Sequence, residues 1–445
     1  MSNQGDAPNS NDPKAMAEKE LEVYKQKILA TMLPPERNNM TWNDVAGLQD
    51  AKDALREAVI LPLRQPKLFS GSRKPWVGVL LYGPPGTGKT FLAKAVASES
   101  DSTFFAISIG DIVSKWVGEG EAVFKMLFTV ARDKIKETGK SSIIFIDEID
   151  SLLTTRGGDK ESESARRLKT EFLTQMDGVG VDNRKLLVLG ATNTPWEIDE
   201  AALRRFPKTI LIPLPDNEAK FQQLQKLKDV PNTLIDHDLK WIAECRTYLF
   251  SGSNITTLIN EVNMNPIRKL DIARQFYIDN NGKFNACKNF PNCPYCPYNL
   301  LETPVIYGSK CPFCQAIFIT LNDIPENSLV EPIITIDDVL DGLTRTQKTS
   351  NELTVARYNK YKATGVYLPT DTIDNIGEAF LPAQNSATCQ LTPPSKQEQS
   401  SSAVAGSSVT QKPTGGFLGL FSGGQQSTPE EQQEAILRSL QGGYN

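Results

Sequence analysis

Val77-Gly-Val-Leu-Leu-Tyr-Gly-Pro-Pro-Gly-Thr-Gly-Lys-Thr90 decides how the rest of the chain is read. A β-branched, apolar run ends at Tyr82, and the eight residues that follow, GPPGTGKT, fit the phosphate-loop pattern G-x-x-x-x-G-K-[ST]. Gly83, Gly86 and Gly88 let the backbone turn its N–H groups onto a polyphosphate, and Pro84, Pro85 and Thr87 complete the loop. A helix opens at Phe91, so its N-terminal partial positive charge faces the same anion. Lys89 can reach the β and γ phosphates, and the Thr90 hydroxyl can ligate a magnesium ion. The expectation is an α/β fold that binds a nucleoside triphosphate with Mg2+ at the ends of buried strands.

Further along, Ser141-Ser-Ile-Ile-Phe-Ile-Asp-Glu-Ile-Asp150 reads as a fully buried strand with carboxylates at its C-terminal end, where open α/β sheets place their ligands. Asp147 suits the magnesium shell. Glu148 is placed to polarise an attacking water as general base. Asp150 is read as structural. Thr103-Phe-Phe-Ala-Ile-Ser108 and Leu186-Leu-Val-Leu-Gly-Ala-Thr-Asn193 read as two more buried strands, the second ending on a polar residue.

Composition bounds the rest. A chain of 445 residues exceeds one core and implies two or three domains with some tail. The net charge of −5 gives no reason to expect nucleic-acid binding. The first residues are polar, and no apolar run approaches the ~20 residues that span a bilayer. A cytosolic protein with peripheral membrane contact at most is expected. From Ala15 to Leu33, the spacing of Leu21, Tyr24, Ile28 and Met32 marks one apolar helical face, ended by Pro34-Pro35. That helix docks a partner or lies against the next domain.

Together with Met40-Thr-Trp-Asn-Asp-Val-Ala-Gly-Leu48, these motifs resemble the AAA ATPases of the meiotic subgroup, which contains katanin, spastin, fidgetin and the vacuolar-protein-sorting ATPases that dismantle ESCRT-III. The resemblance implies a doubly wound parallel-sheet large domain (39–214), a helical lid domain (215–285, resuming at 323–370 with a C-terminal helix) and ATP hydrolysis in a homo-oligomeric, hexameric ring. It places Asp44 and Ala46 along the adenine, with Gly252 and Ser253 close to it by backbone approach. It makes Asn193 the residue that helps hold the attacking water, and Arg204 and Arg205 the arginine fingers that complete a neighbour's site. Lys115-Trp116-Val117 aligns with the loop that lines the central pore and grips an extended polypeptide; from the residues alone, Trp116 could equally be a core anchor. Residues 155–169 match the second pore loop, and Arg166 and Arg167 there could face the pore or the neighbouring subunit.

Five of the seven cysteines fall between Cys287 and Cys314. Cys293-Pro-Tyr-Cys296 and Cys311-Pro-Phe-Cys314, fourteen residues apart, have the doubled-knuckle spacing of a structural zinc ribbon. Cys287 is a spare that could replace a ligand. This zinc-ribbon-like insertion (286–322) falls where the vacuolar-protein-sorting ATPases carry a small β domain that recruits a cofactor protein, which favours ESCRT-III over microtubules as the substrate and endosomal membranes as the location. Two features depart from those enzymes. The N-terminal extension (1–38) is too short for their three-helix trafficking domain, and a Ser-, Gln-, Gly- and Pro-rich tail (371–426) reads as disordered. At the end (427–445), an acidic helix start followed by Ala435-Ile-Leu-Arg-Ser439-Leu resembles a ubiquitin-interacting motif, with Ala435 and Ser439 as the small contact residues. An amphipathic tail helix for another partner is the alternative.

Overall fold

The computed structural model describes residues 13–32, 40–69, 73–110, 112, 120–154, 163–178, 185–286, 307–308, 310, 316–365 and 391–392. Its centre is a five-stranded parallel sheet in the order β2-β3-β4-β1-β5. The strands are β1 Gly78–Tyr82, β2 Thr103–Ser108, β3 Ser142–Asp147, β4 Leu186–Thr192 and β5 Lys208–Leu211. In-register pairing puts Tyr82 beside Thr192 and Ser108 beside Asp147, so the carboxyl ends of the strands open onto one edge. Side chains alternate across the sheet. Leu80, Phe105, Ile144 and Val188 face one apolar cluster, whereas Val79, Leu81, Phe104, Phe145 and Leu189 face the other. Burial on both faces explains why these strands read as continuous apolar runs, with no polar alternation.

Helices cover both faces. On the first, α4 (Gly120–Thr138) brings Phe124 and Phe128 against Phe172 of α5 (Glu163–Asp177). Against the second lie α2 (Gln49–Leu55), with Leu55 fully buried, and α3 (Lys89–Glu99), with Leu92 and Val96. The amphipathic α1 (Pro13–Thr31) lies against the sheet domain: Ile28 is buried in the first cluster, and Met32 bridges to Phe105 of the edge strand β2. Covering an edge strand satisfies backbone groups that would otherwise invite pairing with another chain.

A second, helical lobe follows β5. Helices α7 (Asn217–Leu224) and α8 (Gly252–Asp271), with α9 (Ile336–Arg345), enclose their own core of Leu224, Leu239, Ile242, Ile255, Leu258, Val262 and Val339. The helical pattern gives way after Asp271 to an antiparallel hairpin, β6 (Phe276–Ile278) with β7 (Phe284–Ala286), whose ends bridge to Ile317 and Leu329. Chain returning from beyond the hairpin therefore joins its edges. The last described helix, α10 (Glu352–Thr364), contacts both lobes: Tyr248 donates to Glu352 on one side, while Tyr361 meets Tyr82 edge-on at 5.5 Å on the other. Cys245, half-buried in the helical lobe, is disulfide-bonded, and the other six cysteines lie outside the described residues. Among the described residues, no helix is long and apolar enough to cross a membrane.

Candidate functional site

The phosphate loop leaves β1 at the carboxyl edge of the sheet, and its glycines are needed for space as well as for φ. At Gly83 (φ 154°) a Cβ would stand 2.1 Å from the Ile212 carbonyl, and at Gly86 (φ 74°) 2.0 Å from Ser253 Oγ. Gly88, at φ 90°, is the N-cap of α3. Pro84 and Thr87 are buried, Pro85 is exposed, and Phe91 is 39% exposed just inside the helix. Lys89 is 7% exposed. Its Nζ donates to the carbonyls of Gly83 and Pro84 at 2.9 and 2.8 Å. Burial lowers its pKa to about 8, although Asp147 and Asp150 pull the other way. An ammonium so placed, held by the loop's own carbonyls, gains most from an anion entering the loop.

Next to the loop stand the residues at the ends of β3 and β4. Thr90 Oγ1 donates to Asp147 Oδ2 at 2.6 Å, which brings a hydroxyl and a carboxylate, both hard oxygen donors, to one point. That pair suits Mg2+, which keeps several waters and takes one or two protein oxygens plus phosphate. Glu148 is exposed and adopts φ 50°, a left-handed conformation uncommon for a non-glycine residue, and its N–H donates to Asp147 Oδ1. Asp150 accepts from Thr192 Oγ1 at 2.6 Å. The Asn193 side-chain oxygen is buried with no hydrogen-bond partner among the described residues. An unpaired buried acceptor beside a phosphate loop is suited to a water or ligand proton.

The two arginines follow α6 (Glu200–Leu203), whose N-cap Asp199 accepts from Ala201 N–H. Among the described residues, Arg204 reaches back to Glu200, at 2.9 Å and with both side chains largely exposed. Arg205 is clamped by Asp177 through Nε and Nη2, at 2.9 and 2.7 Å. Within this one chain, neither arginine is hydrogen-bonded to Lys89, Asp147, Glu148 or Asn193 among the described contacts.

A family model described as "ATPase family associated with various cellular activities (AAA)" matches residues 79–214. The chain is 45% identical over 355 residues to mouse Vacuolar protein sorting-associated protein 4B, an alignment spanning 79% of this chain and 76% of that protein. The chain belongs to the AAA ATPase family. It is also 47% identical over 266 residues to Naegleria gruberi Spastin, covering 58% of this chain and 50% of that one. The crystal structure of the FIGL-1 AAA domain in complex with ADP superposes with a TM-score of 0.58 at 37% identity, over 77% of this chain and 96% of that one. As an AAA ATPase, the chain hydrolyses ATP and uses Mg2+, and AAA ATPases in general assemble into rings.

Within this ATPase the helical lobe touches the phosphate loop directly. Ser253 N–H, at the start of α8, donates to the Gly86 carbonyl at 3.0 Å, and Gly252 packs against the same carbonyl. Asp44 is exposed and accepts from Thr41 N–H and Oγ1 as the capping partner of a short 3-10 turn, so its side chain serves local structure. Ala46 is half-buried beside Gly47, where a Cβ would come within 2.8 Å of Ala219 on α7. Three features went unnoticed in the sequence: Asp177, Tyr358 and the buried Lys220. Tyr358 and Tyr361 do fall at i and i+3 on α10, the only local signal for a helix face turned onto the ATPase domain. Lys115, Trp116, Val117, the four cysteines Cys293, Cys296, Cys311 and Cys314, and the tail residues Ala435 and Ser439 lie outside the described residues.

Proposed function

We propose that this chain assembles into a homo-oligomeric ring that couples Mg-ATP hydrolysis to pulling polypeptide through a central pore, and that its substrates are ESCRT-III polymers at endosomal membranes. The observation that carries this reading is the 45% identity to a vacuolar-protein-sorting relative across most of both chains. Lys89 and the loop N–H groups of Gly83, Gly86, Thr87 and Gly88 would hold the phosphates, and Thr90 and Asp147 would hold a magnesium ion, which would neutralise phosphate charge. The Glu148 carboxylate takes a proton from water as the water oxygen bonds to the γ-phosphorus. The bond from that phosphorus to the bridging oxygen breaks, leaving ADP and phosphate. Asn193 orients the water, and Arg204 and Arg205 act on the neighbouring subunit's ATP. Gly252 and Ser253 bring the helical lobe to the nucleotide, and Asp44 and Ala46 border its base.

The finer assignments follow from the same reading. Lys115, Trp116 and Val117 line the pore, where an aromatic side chain grips peptide with little sequence dependence. Cys293, Cys296, Cys311 and Cys314 close a four-thiolate shell around zinc, which stabilises the insertion without catalysing. The insertion binds a cofactor protein, and the tail helix with Ala435 and Ser439 meets ubiquitin. A katanin- or spastin-like microtubule-severing ATPase is the second reading, favoured by the spastin match. Presenting the purified ring with membrane-bound ESCRT-III polymer and, separately, with stabilised microtubules decides between them. Release of ESCRT-III with intact microtubules supports the first reading, and severing without release supports the second.

A further inference from the structure

We propose that Asp177 and Lys169, both on α5, are positioning residues for the arginine pair that this chain lends to its neighbour. The proposal rests on the reading that Arg204 and Arg205 act in trans, and it adds what holds them ready to do so.

The turn carrying the pair is fixed at three points. Phe206, the next residue, is 1% exposed in the core beneath the sheet. The Arg205 carbonyl lies 2.1 Å from where a Cβ on Gly78 would stand, so the backbone of the turn rests on the first residue of β1. The Arg205 guanidinium is gripped along its Nε–Nη2 edge by both oxygens of Asp177, while Nη1 donates to the Ala201 carbonyl at 2.9 Å. Among the described residues these bonds use three of the five N–H donors of a guanidinium and leave one hydrogen on each Nη for a phosphate or carboxylate. The Asp177 contact also raises the Arg205 pKa.

The other end of the arginine helix is tied to the same partner. Lys169 Nζ donates to Asp199 Oδ2 at 2.9 Å, in a pair whose side chains are only 15% and 30% exposed. Asp199 is the N-cap of α6, and Lys169 holds its carboxyl below the usual aspartate range. Two ion pairs from α5, eight residues apart, thus bracket α6 from its cap to the arginine that follows it. An isolated exposed ion pair is worth little to stability. A bidentate clamp and a sheltered cap pair on one short helix instead fix direction, which is what an arginine acting across a subunit boundary requires. Arg204, tied among the described residues to Glu200 on its own exposed surface, is the member of the pair able to swing toward the neighbour.

The test uses full-length chains in mixed rings. Asp177→Ala keeps its own Glu148 but offers a misdirected arginine pair, whereas Glu148→Gln cannot hydrolyse but offers an intact pair. Asp177→Ala alone should turn over ATP about tenfold or more below wild type at concentrations where wild type is assembled. Adding Glu148→Gln subunits should raise its activity several-fold, because each Asp177→Ala site then borrows a correctly held pair. Asp177→Asn, which keeps the side-chain shape, should show a smaller loss and the same rescue, and Lys169→Met likewise. A purely structural role would lower the melting temperature and give no rescue across subunits. Wild-type turnover by Asp177→Ala overturns the proposal, as does failure of Glu148→Gln to rescue it while rescuing Arg205→Ala. If Arg205→Ala is itself not rescued, the trans reading fails and the proposal falls with it.

Discussion

The Tyr358 hydroxyl donates to the main-chain carbonyl of Asn193 at 2.5 Å, joining the last described helix to the residue at the end of β4. Tyr358 is buried against Trp196, with ring centroids 5.2 Å apart, so the hydroxyl has little freedom to point elsewhere. The backbone of Asn193, and with it the buried side-chain oxygen beside the phosphate loop, is therefore set by a residue 165 positions away in sequence.

Tyr358→Phe should then lower the hydrolysis rate several-fold by loosening Asn193. Leaving a buried carbonyl without its donor should cost about 1–2 kcal/mol of stability. Steady-state ATP turnover and a urea midpoint on the same preparation check both halves. Unchanged turnover alongside reduced stability would show that Tyr358 is structural only.

Glu148→Gln should slow hydrolysis by about 10²-fold or more while nucleotide binding persists, because the amide keeps the shape but cannot accept the proton. Titration with a fluorescent nucleotide, followed by single-turnover hydrolysis, separates the two effects. Loss of binding in step with rate would assign Glu148 to holding nucleotide.

Lys220, 6% exposed on α7, should make the stability of the apoprotein depend on pH. Burial lowers its pKa from 10.5 to about 8, opposed by nearby Asp216. Below the folded value both states carry the proton, and the cost of burying the charge is fully present. Between the two values the unfolded chain still holds a proton that the folded chain has released, so stability rises with pH. Lys220→Met should melt higher than wild type at neutral pH, with the gap closing in alkaline buffer. A gap independent of pH would mean that packing, and not the charge, makes the difference.

Zinc should accompany the purified protein at about one ion per chain, the stoichiometry of a closed four-cysteine site. Chelation, or Cys293→Ser with Cys296→Ser, should remove it and lower the melting temperature. Metal analysis of the wild type without zinc would dismiss the ribbon.

Much of the fold was legible because the strands are buried on both faces: Leu80, Ile144 and Leu189 stand in uninterrupted apolar runs, and a phosphate loop follows one of them. The loop residues were readable because their chemistry is local, set by glycine backbone and one lysine within eight positions. Asp177 and Tyr358 were not readable in role, since each acts on a partner far along the chain, and the spacing of Tyr358 and Tyr361 marks a helix face without naming what it meets. The hairpin at 276–286 was missed because its strands are three residues long and pair at their ends with segments beyond residue 316. Asp44 was legible as part of a motif, but the bonds its carboxylate accepts from Thr41, as the cap of its own turn, were not.

The most direct test of the whole account is release of ESCRT-III subunits from polymer assembled on vesicles, followed by sedimentation with Mg-ATP and full-length protein. The account predicts that wild type moves the subunits into the supernatant, whereas Glu148→Gln leaves them on the membrane with the ATPase bound. Polymer that stays intact while wild type hydrolyses ATP at its normal rate would contradict it.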